Sequence, residues 1–139
     1  MIVLDTNVLS EALRPSPAPQ VLDWMERQPR TSLFTTSVTR GEILYGLYLL
    51  PDGQRRQQML EVIRAILDQD LAGLVWSFDR DAADAYARIA VARRQAGRPI
   101  SQFDAMIAAI AQSRGASIAT RNVKDFWETG VTLIDPWET

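Results

Sequence analysis

The first ten residues, Met1-Ile2-Val3-Leu4-Asp5-Thr6-Asn7-Val8-Leu9-Ser10, decide the architecture of this chain. Ile2, Val3 and Leu4 are a short apolar run suited to a buried strand, whereas Val8, Leu9 and Leu13 recur at helical spacing. A strand that turns at once into a helix opens a βαβ unit, and Asp5 sits at the junction. In open α/β sheets the carboxyl ends of the strands form the crevice in which ligands bind, so Asp5 stands where chemistry is expected. Its plainer role is the cap of the first helix, whose free amides an aspartate satisfies.

Outward from this stretch the pattern repeats. Pro15, Pro17 and Pro19 interrupt the chain, and a second helix is expected over 18–27, before Pro29. Residues 32–35 read as a strand. Thr36 or Ser37 then caps a helix carrying Val38, Glu42, Ile43, Leu44, Tyr45, Leu47 and Leu49, apolar nearly all round and therefore expected to be well buried. After the turn Pro51-Asp52-Gly53, an amphipathic helix is expected over 54–68 and a strand over 74–78. Asp79 or Asp81 opens a helix with Ala82, Ala85, Tyr86, Ile89 and Ala92 on its buried face, and Arg93, Arg94, Gly97, Arg98 and Pro99 form the break after it. The helix around Asp104 runs to Gly115, a C-cap, and strands follow over 116–120 and 131–134. Strands alternating with helices predict one α/β domain over 1–139, with a mainly parallel sheet covered on both faces.

Composition removes whole classes of chemistry. The chain has 139 residues with neither histidine nor cysteine. Disulfides, thiolate zinc sites, Ser-His-Asp hydrolysis and imidazole acid–base catalysis are excluded. No glycine-rich phosphate loop is present. The net charge of -2 argues against a nonspecific coat on nucleic acid, although local basic patches remain, and of the 15 basic residues only Lys124 is lysine. No stretch is long and apolar enough to span a bilayer and no signal core follows Met1, so a soluble cytoplasmic protein without a membrane partner is expected.

Catalysis must then run on carboxylates. Glu42 sits among Val38, Tyr45 and Leu49 at helical spacing, where an isolated charge is disfavoured without a cation, a proton or a dedicated partner. Asp104 falls in the first turn of its helix, a position the helix dipole favours. Ala108 and Ala111, at i+4 and i+7, also place it on the packed side. If Asp5, Glu42 and Asp104 converge, their repulsion is relieved by a hard divalent cation with oxygen ligands, magnesium or manganese. Such a metal activates water and neutralises charge on a phosphodiester.

Four stretches carry a resemblance: LDTNVLS at 4–10, TSVTRGEILYG at 36–46, QFDAMIAAIA at 102–111 and ATRNVKDF at 119–126. In this order they resemble the PIN domain family, most of all the VapC-type toxins of bacterial toxin–antitoxin pairs and their FitB-like branch. The resemblance implies a three-layer α/β/α domain and a magnesium-dependent endoribonuclease that cleaves RNA, dimerises and is restrained by a cognate antitoxin. By position, Asp5, Glu42 and Asp104 match the acidic triad, with Asp5 and Asp104 holding the metal. The family's fourth acid is replaced here by Asn122, which orients water but cannot act as a base. Asp125 is an alternative fourth acid or a cap of the short turn at 123–127. Thr6, Arg121 and Lys124 are the expected substrate contacts, with Arg40 a further candidate. The Arg93, Arg94 and Arg98 group reads as a solvated face at Arg93 and Arg94. Leu9, Leu13, Trp24 and Met59 are candidate docking positions for the antitoxin, Trp24 being equally a core residue, and one of the antitoxin's arginines would enter the carboxylate cluster.

Two other readings stand beside this one. A PIN-like module that binds RNA or protein without catalysis would use the acids for structure alone. A phosphatase of the haloacid-dehalogenase type also begins with a strand and an aspartate, but it needs a second aspartate at the place of Asn7.

Overall fold

A computed structural model describes residues 1–139. Five strands, β1 (Ile2–Leu4), β2 (Leu33–Thr36), β3 (Val75–Trp76), β4 (Ser117–Ala119) and β5 (Leu133–Ile134), form one sheet in the order β3-β2-β1-β4-β5. Every pairing is parallel. The helices are α1 (Thr6–Ala12), α2 (Pro19–Arg27), α3 (Ser37–Tyr48), α4 (Gln54–Ala65), α5 (Arg80–Gln95) and α6 (Gln102–Ser113). From β1 the chain steps outward to β2 and β3, then returns across the sheet to β4 and β5. The strand order therefore reverses between β1 and β4, the place where open α/β sheets hold their ligands.

Both faces of the sheet are covered because the strands alternate. Val3 and Ile118 pack with Ala82, Ala85 and Ile89 of α5 and with Ile107 and Ile110 of α6. Leu4 and Ala119, one residue on, pack with Val8 and Leu9 of α1, Val21 and Trp24 of α2, Ile43 and Leu47 of α3, and Ile63 of α4. The helix starts are set by side chains. Thr36 Oγ1 accepts from Thr39 N at 3.0 Å, Asp79 Oδ1 from Ala82 N at 3.0 Å, and Ser101 Oγ from Asp104 N at 3.2 Å. Gly115 ends α6 with φ +68, a conformation that glycine adopts without strain.

Three expectations fail for identifiable reasons. The helix α3 is not buried all round: Tyr45, Tyr48 and Leu49 are 69%, 51% and 68% exposed. Its buried side chains, Val38, Ile43 and Leu47, face the two cores, and no element of the chain covers the other side. The helix α4 stops at Ala65, and a π-helical turn, Ile66–Asp70, carries the chain out of it. Finally, Arg93 and Arg94 lie inside α5 rather than after it, and Arg93 is buried where Ala92 was expected to be.

Arg93 is buried as a structural tie and not as part of a solvated charge run. Its Nε donates to Arg98 O at 2.7 Å, and its Nη1 donates to Asp125 O and Trp127 O, both at 2.9 Å. One guanidinium thus closes the end of α5 and anchors the 3-10 turn Val123–Phe126. Arg94 is exposed, as expected. Leu9, read as a docking position, is core, and of the two readings of Trp24 the core one holds.

Replacing Arg93 by Leu leaves three carbonyls without a charged donor and should cost about 3 kcal/mol of folding free energy. Arg94→Leu should change it by less than about 0.5 kcal/mol. Urea unfolding of the two variants checks the difference, and equal midpoints would show that the Arg93 bonds hold nothing.

Candidate active site

Asp5 and Thr120 follow β1 and β4, the strands that meet at the reversal of strand order. Asp5 is buried, and each of its oxygens is occupied. Oδ1 accepts from Thr6 N at 2.8 Å, while Oδ2 accepts from the Thr120 hydroxyl at 2.8 Å and from Asn7 Nδ2 at 3.2 Å. Thr120 Oγ1 in turn accepts from Asn7 Nδ2 at 3.2 Å and from Asn122 N at 3.1 Å. Asn7 Oδ1 accepts from Arg121 N at 3.2 Å, so one asparagine ties both strand ends together. Asp5 is accordingly both cap and cluster member. Oδ1 caps the first amide of α1, and Oδ2 ties the acid to Asn7 and to Thr120 after β4.

Glu42 reaches the same place from α3. The Thr6 hydroxyl donates to its Oε1 at 2.9 Å, and the Thr39 hydroxyl lies 3.1 Å from Thr6 Oγ1. Thr6 therefore holds an acid rather than standing free for substrate. Asp104 enters from the first turn of α6.

Burial is the leading cause of a raised pKa in all three acids, and it lifts Asp5 from 3.8 to about 6. Their mutual repulsion adds to it: Asp104 and Glu42 act on Asp5, and Asp104 acts on Glu42. None of the three belongs to any ion pair of the chain. The acids converge electrostatically, but no three of them close directly around a point. Magnesium dehydrates reluctantly and is commonly held through one or two carboxylates, so an all-oxygen set of unpaired acids fits it.

The remaining sequence candidates fall at different places. Asn122 lies at the rim, exposed, and contributes its backbone N–H to Thr120. The charge that acts on Asp104 from this turn is that of Asp125, with Arg93 opposing it. Lys124 is exposed, and the Arg121 guanidinium lies over the Trp137 ring, 5.0 Å from its centroid. Arg40 and Arg98 are taken up by Asp68 and Glu128. Sequence reasoning missed Thr120, whose hydroxyl binds Asp5 directly, and Thr39, whose hydroxyl meets that of Thr6. The available signal was a threonine just past a strand end in the stretch ATRNVKDF.

Glu42 divides two clefts. One, of about 780 Å³, is lined by Val38, Gly41, Tyr45, Phe78, Phe103 and Met106. The other, of about 370 Å³, runs past Thr6, Leu13, Arg14, Leu47, Arg55 and Met59. Leu13 and Met59, two of the expected docking positions, thus share a cleft that opens from the acids.

A carboxyl whose folded pKa lies above its unfolded value binds its proton more tightly in the fold. Its contribution to stability is present below the unfolded pKa of 3.8 and is lost as pH rises through about 6. For Asp5 the shift corresponds to about 3 kcal/mol. Glu42 and Asp104 act in the same direction. Calorimetry of the metal-free protein should therefore show the unfolding temperature falling between about pH 4 and pH 6, with Asp5→Asn flattening the profile. A midpoint that rises across this window would mean that the acids are not desolvated.

Comparison with known proteins agrees with this geometry. A family model described as PIN domain matches residues 2–129. The plasmid stability protein StbB of Pseudomonas syringae pv. tomato is 39% identical over 138 residues, and the VapC ribonuclease Y4jK of Sinorhizobium fredii is 37% identical over 138; in each case 99% of both chains is covered. The toxin FitB of Neisseria gonorrhoeae is 32% identical over 137 residues, again with 99% of both chains covered. The crystal structure of FitAcB from that organism superposes with a TM-score of 0.88 at 31% identity over the whole of both chains. The family match spans nearly the full chain and all five strands but the last, and the chain belongs to the PIN domain family.

Proposed function

We propose that this protein is a metal-dependent endoribonuclease and the toxin of a toxin–antitoxin pair, acting in the cytoplasm. The observation that carries the reading is the set of three desolvated, unpaired carboxylates at the reversal of strand order, in a chain without histidine or cysteine. The relatives named a VapC ribonuclease and a toxin support the same class. No helix is long and apolar enough to cross a membrane.

Asp5 and Asp104 would hold a hydrated magnesium, or manganese in its place, which supplies activation of water and neutralises charge on a phosphodiester. Thr120 and Asn7 fix the Asp5 carboxylate so that its geometry is set before substrate arrives. Glu42 is oriented through Oε1 by Thr6, which leaves Oε2 to take a proton from the attacking water. Its raised pKa suits that task. Asn122 orients water at the rim without acting as a base, and the Asp125 carboxylate adds the fourth negative charge. Arg121 and Lys124 contact substrate phosphates.

Two protein surfaces flank these acids. The cleft of Leu13, Leu47 and Met59 suits an apolar segment of the antitoxin, from which an arginine reaches Glu42 and its neighbours and replaces the metal. The wider cleft with Tyr45 and Phe103 suits a second copy of the chain, because its lining is almost wholly apolar and its one charged member, Glu42, belongs to the acids.

Purified protein should cleave single-stranded or looped RNA in magnesium. Asp5→Ala and Asp104→Ala should each reduce turnover at least about a hundredfold while remaining folded by circular dichroism. Cleavage that persists undiminished in excess EDTA, or in the Asp104→Ala protein, defeats the mechanism.

Expression in a bacterial host should arrest growth, and coexpression of a neighbouring small gene should restore it. Equal growth with and without that gene, with soluble protein confirmed, counts against a toxin.

A further inference from the structure

Arg121 follows Thr120 directly, and Asn7 fixes its backbone N–H, so its side chain leaves the main chain at the rim of the acidic cluster. No carboxylate claims it. The ion pairs of the chain use Arg14, Arg27, Arg40, Arg56, Arg98 and Arg114. Nor is its charge among those acting on Asp5, Glu42 or Asp104. What holds the guanidinium is the indole of Trp137, 5.0 Å away at the far end of the chain. Trp137 is itself fixed: its backbone N–H donates to Asp135 Oδ1 at 2.9 Å, and its ring packs against the core that contains Leu4, Val8 and Ala119.

We propose that Trp137 is a positioning residue for RNA binding: its ring holds the Arg121 guanidinium at the rim of the crevice as the site of a substrate phosphate neighbouring the scissile one. The inference rests on the ribonuclease reading above. An exposed arginine has many rotamers, and ordering it before the substrate arrives removes that cost from binding. A ring engages the face of a guanidinium and leaves its N–H edge open, the edge that pairs with phosphate oxygens in bidentate fashion. A carboxylate partner would occupy that edge. Trp137 supplies order without consuming the donors.

The test is binding of a fluorescent single-stranded RNA oligonucleotide in EDTA, followed across a salt series, alongside cleavage in magnesium. Arg121→Ala should weaken binding about tenfold and lower the slope of log affinity against log salt by about 0.7, the value for one phosphate contact on a single strand. Trp137→Ala should weaken binding about two- to fivefold, and Trp137→Phe should restore most of it, because a phenyl face still holds a cation. In the Arg121→Ala background, Trp137→Ala should add nothing, a result that general destabilisation by the lost indole cannot produce. Equal effects of Trp137→Ala with and without Arg121, or no effect in either, overturn the inference. Wild-type protein that neither binds nor cleaves RNA overturns the ribonuclease reading and this inference with it. Normal cleavage and binding by Arg121→Ala and Trp137→Ala overturn the inference alone.

Discussion

The structure turns on one buried carboxylate. Asp5 stands at the end of the central strand, in a place that raises its pKa to about 6, and its position is tolerable because Thr6, Asn7 and Thr120 all donate to it. Those three donors belong to α1 and to the segment after β4, so satisfying the acid also fixes how the two strand ends lie beside each other. Without them the charge would have no partner. With them the acid is charged at a cost, and that cost is what a cation at the site would relieve.

The same economy extends to the neighbouring groups. Glu42 is oriented by Thr6, the residue whose amide binds Asp5, so two of the three acids are set by one residue. The turn after β4, with Asn122, Lys124 and Asp125, has few apolar contacts of its own beyond Phe126. Arg93 holds its carbonyls from across α5. The helix α5 thereby holds in place the turn that carries Asp125, and the Arg93 charge itself acts on Asp104.

Much of this was legible in the sequence, and the failures share a cause. The βαβ alternation and the acid at the first strand end follow from local periodicity, the reliance on carboxylates follows from the absence of histidine and cysteine, and the grouping of Glu42 and Asp104 with Asp5 came from the resemblance to the PIN domain family. Arg93 could not be read that way. Its neighbours in sequence are charged and its bonding partners lie more than thirty positions on, at Asp125 and Trp127. Asn122 and Asp125 are three residues apart in a 3-10 turn, and only the path of that turn decides which charge acts on Asp104. Thr120 and Thr39 were overlooked because a hydroxyl carries no pattern of its own. Its meaning comes from what lies opposite.

The misreading of α3 is the most informative of these. A helix apolar on every side is expected in the middle of a core, yet Tyr45, Tyr48 and Leu49 face outward here. Surface apolar groups scattered singly need no explanation, but large ones concentrated on one helix beside a wide apolar cleft do. The pattern is consistent if the helix is buried on all sides in the assembly rather than in the chain: Val38, Ile43 and Leu47 toward the core, and Tyr45 with Phe103 toward a partner. Glu42 lies on the same helix between those faces. A protein docked on either cleft would therefore meet Glu42, the residue proposed to take the proton, so association and the proposed catalysis would bear on one helix.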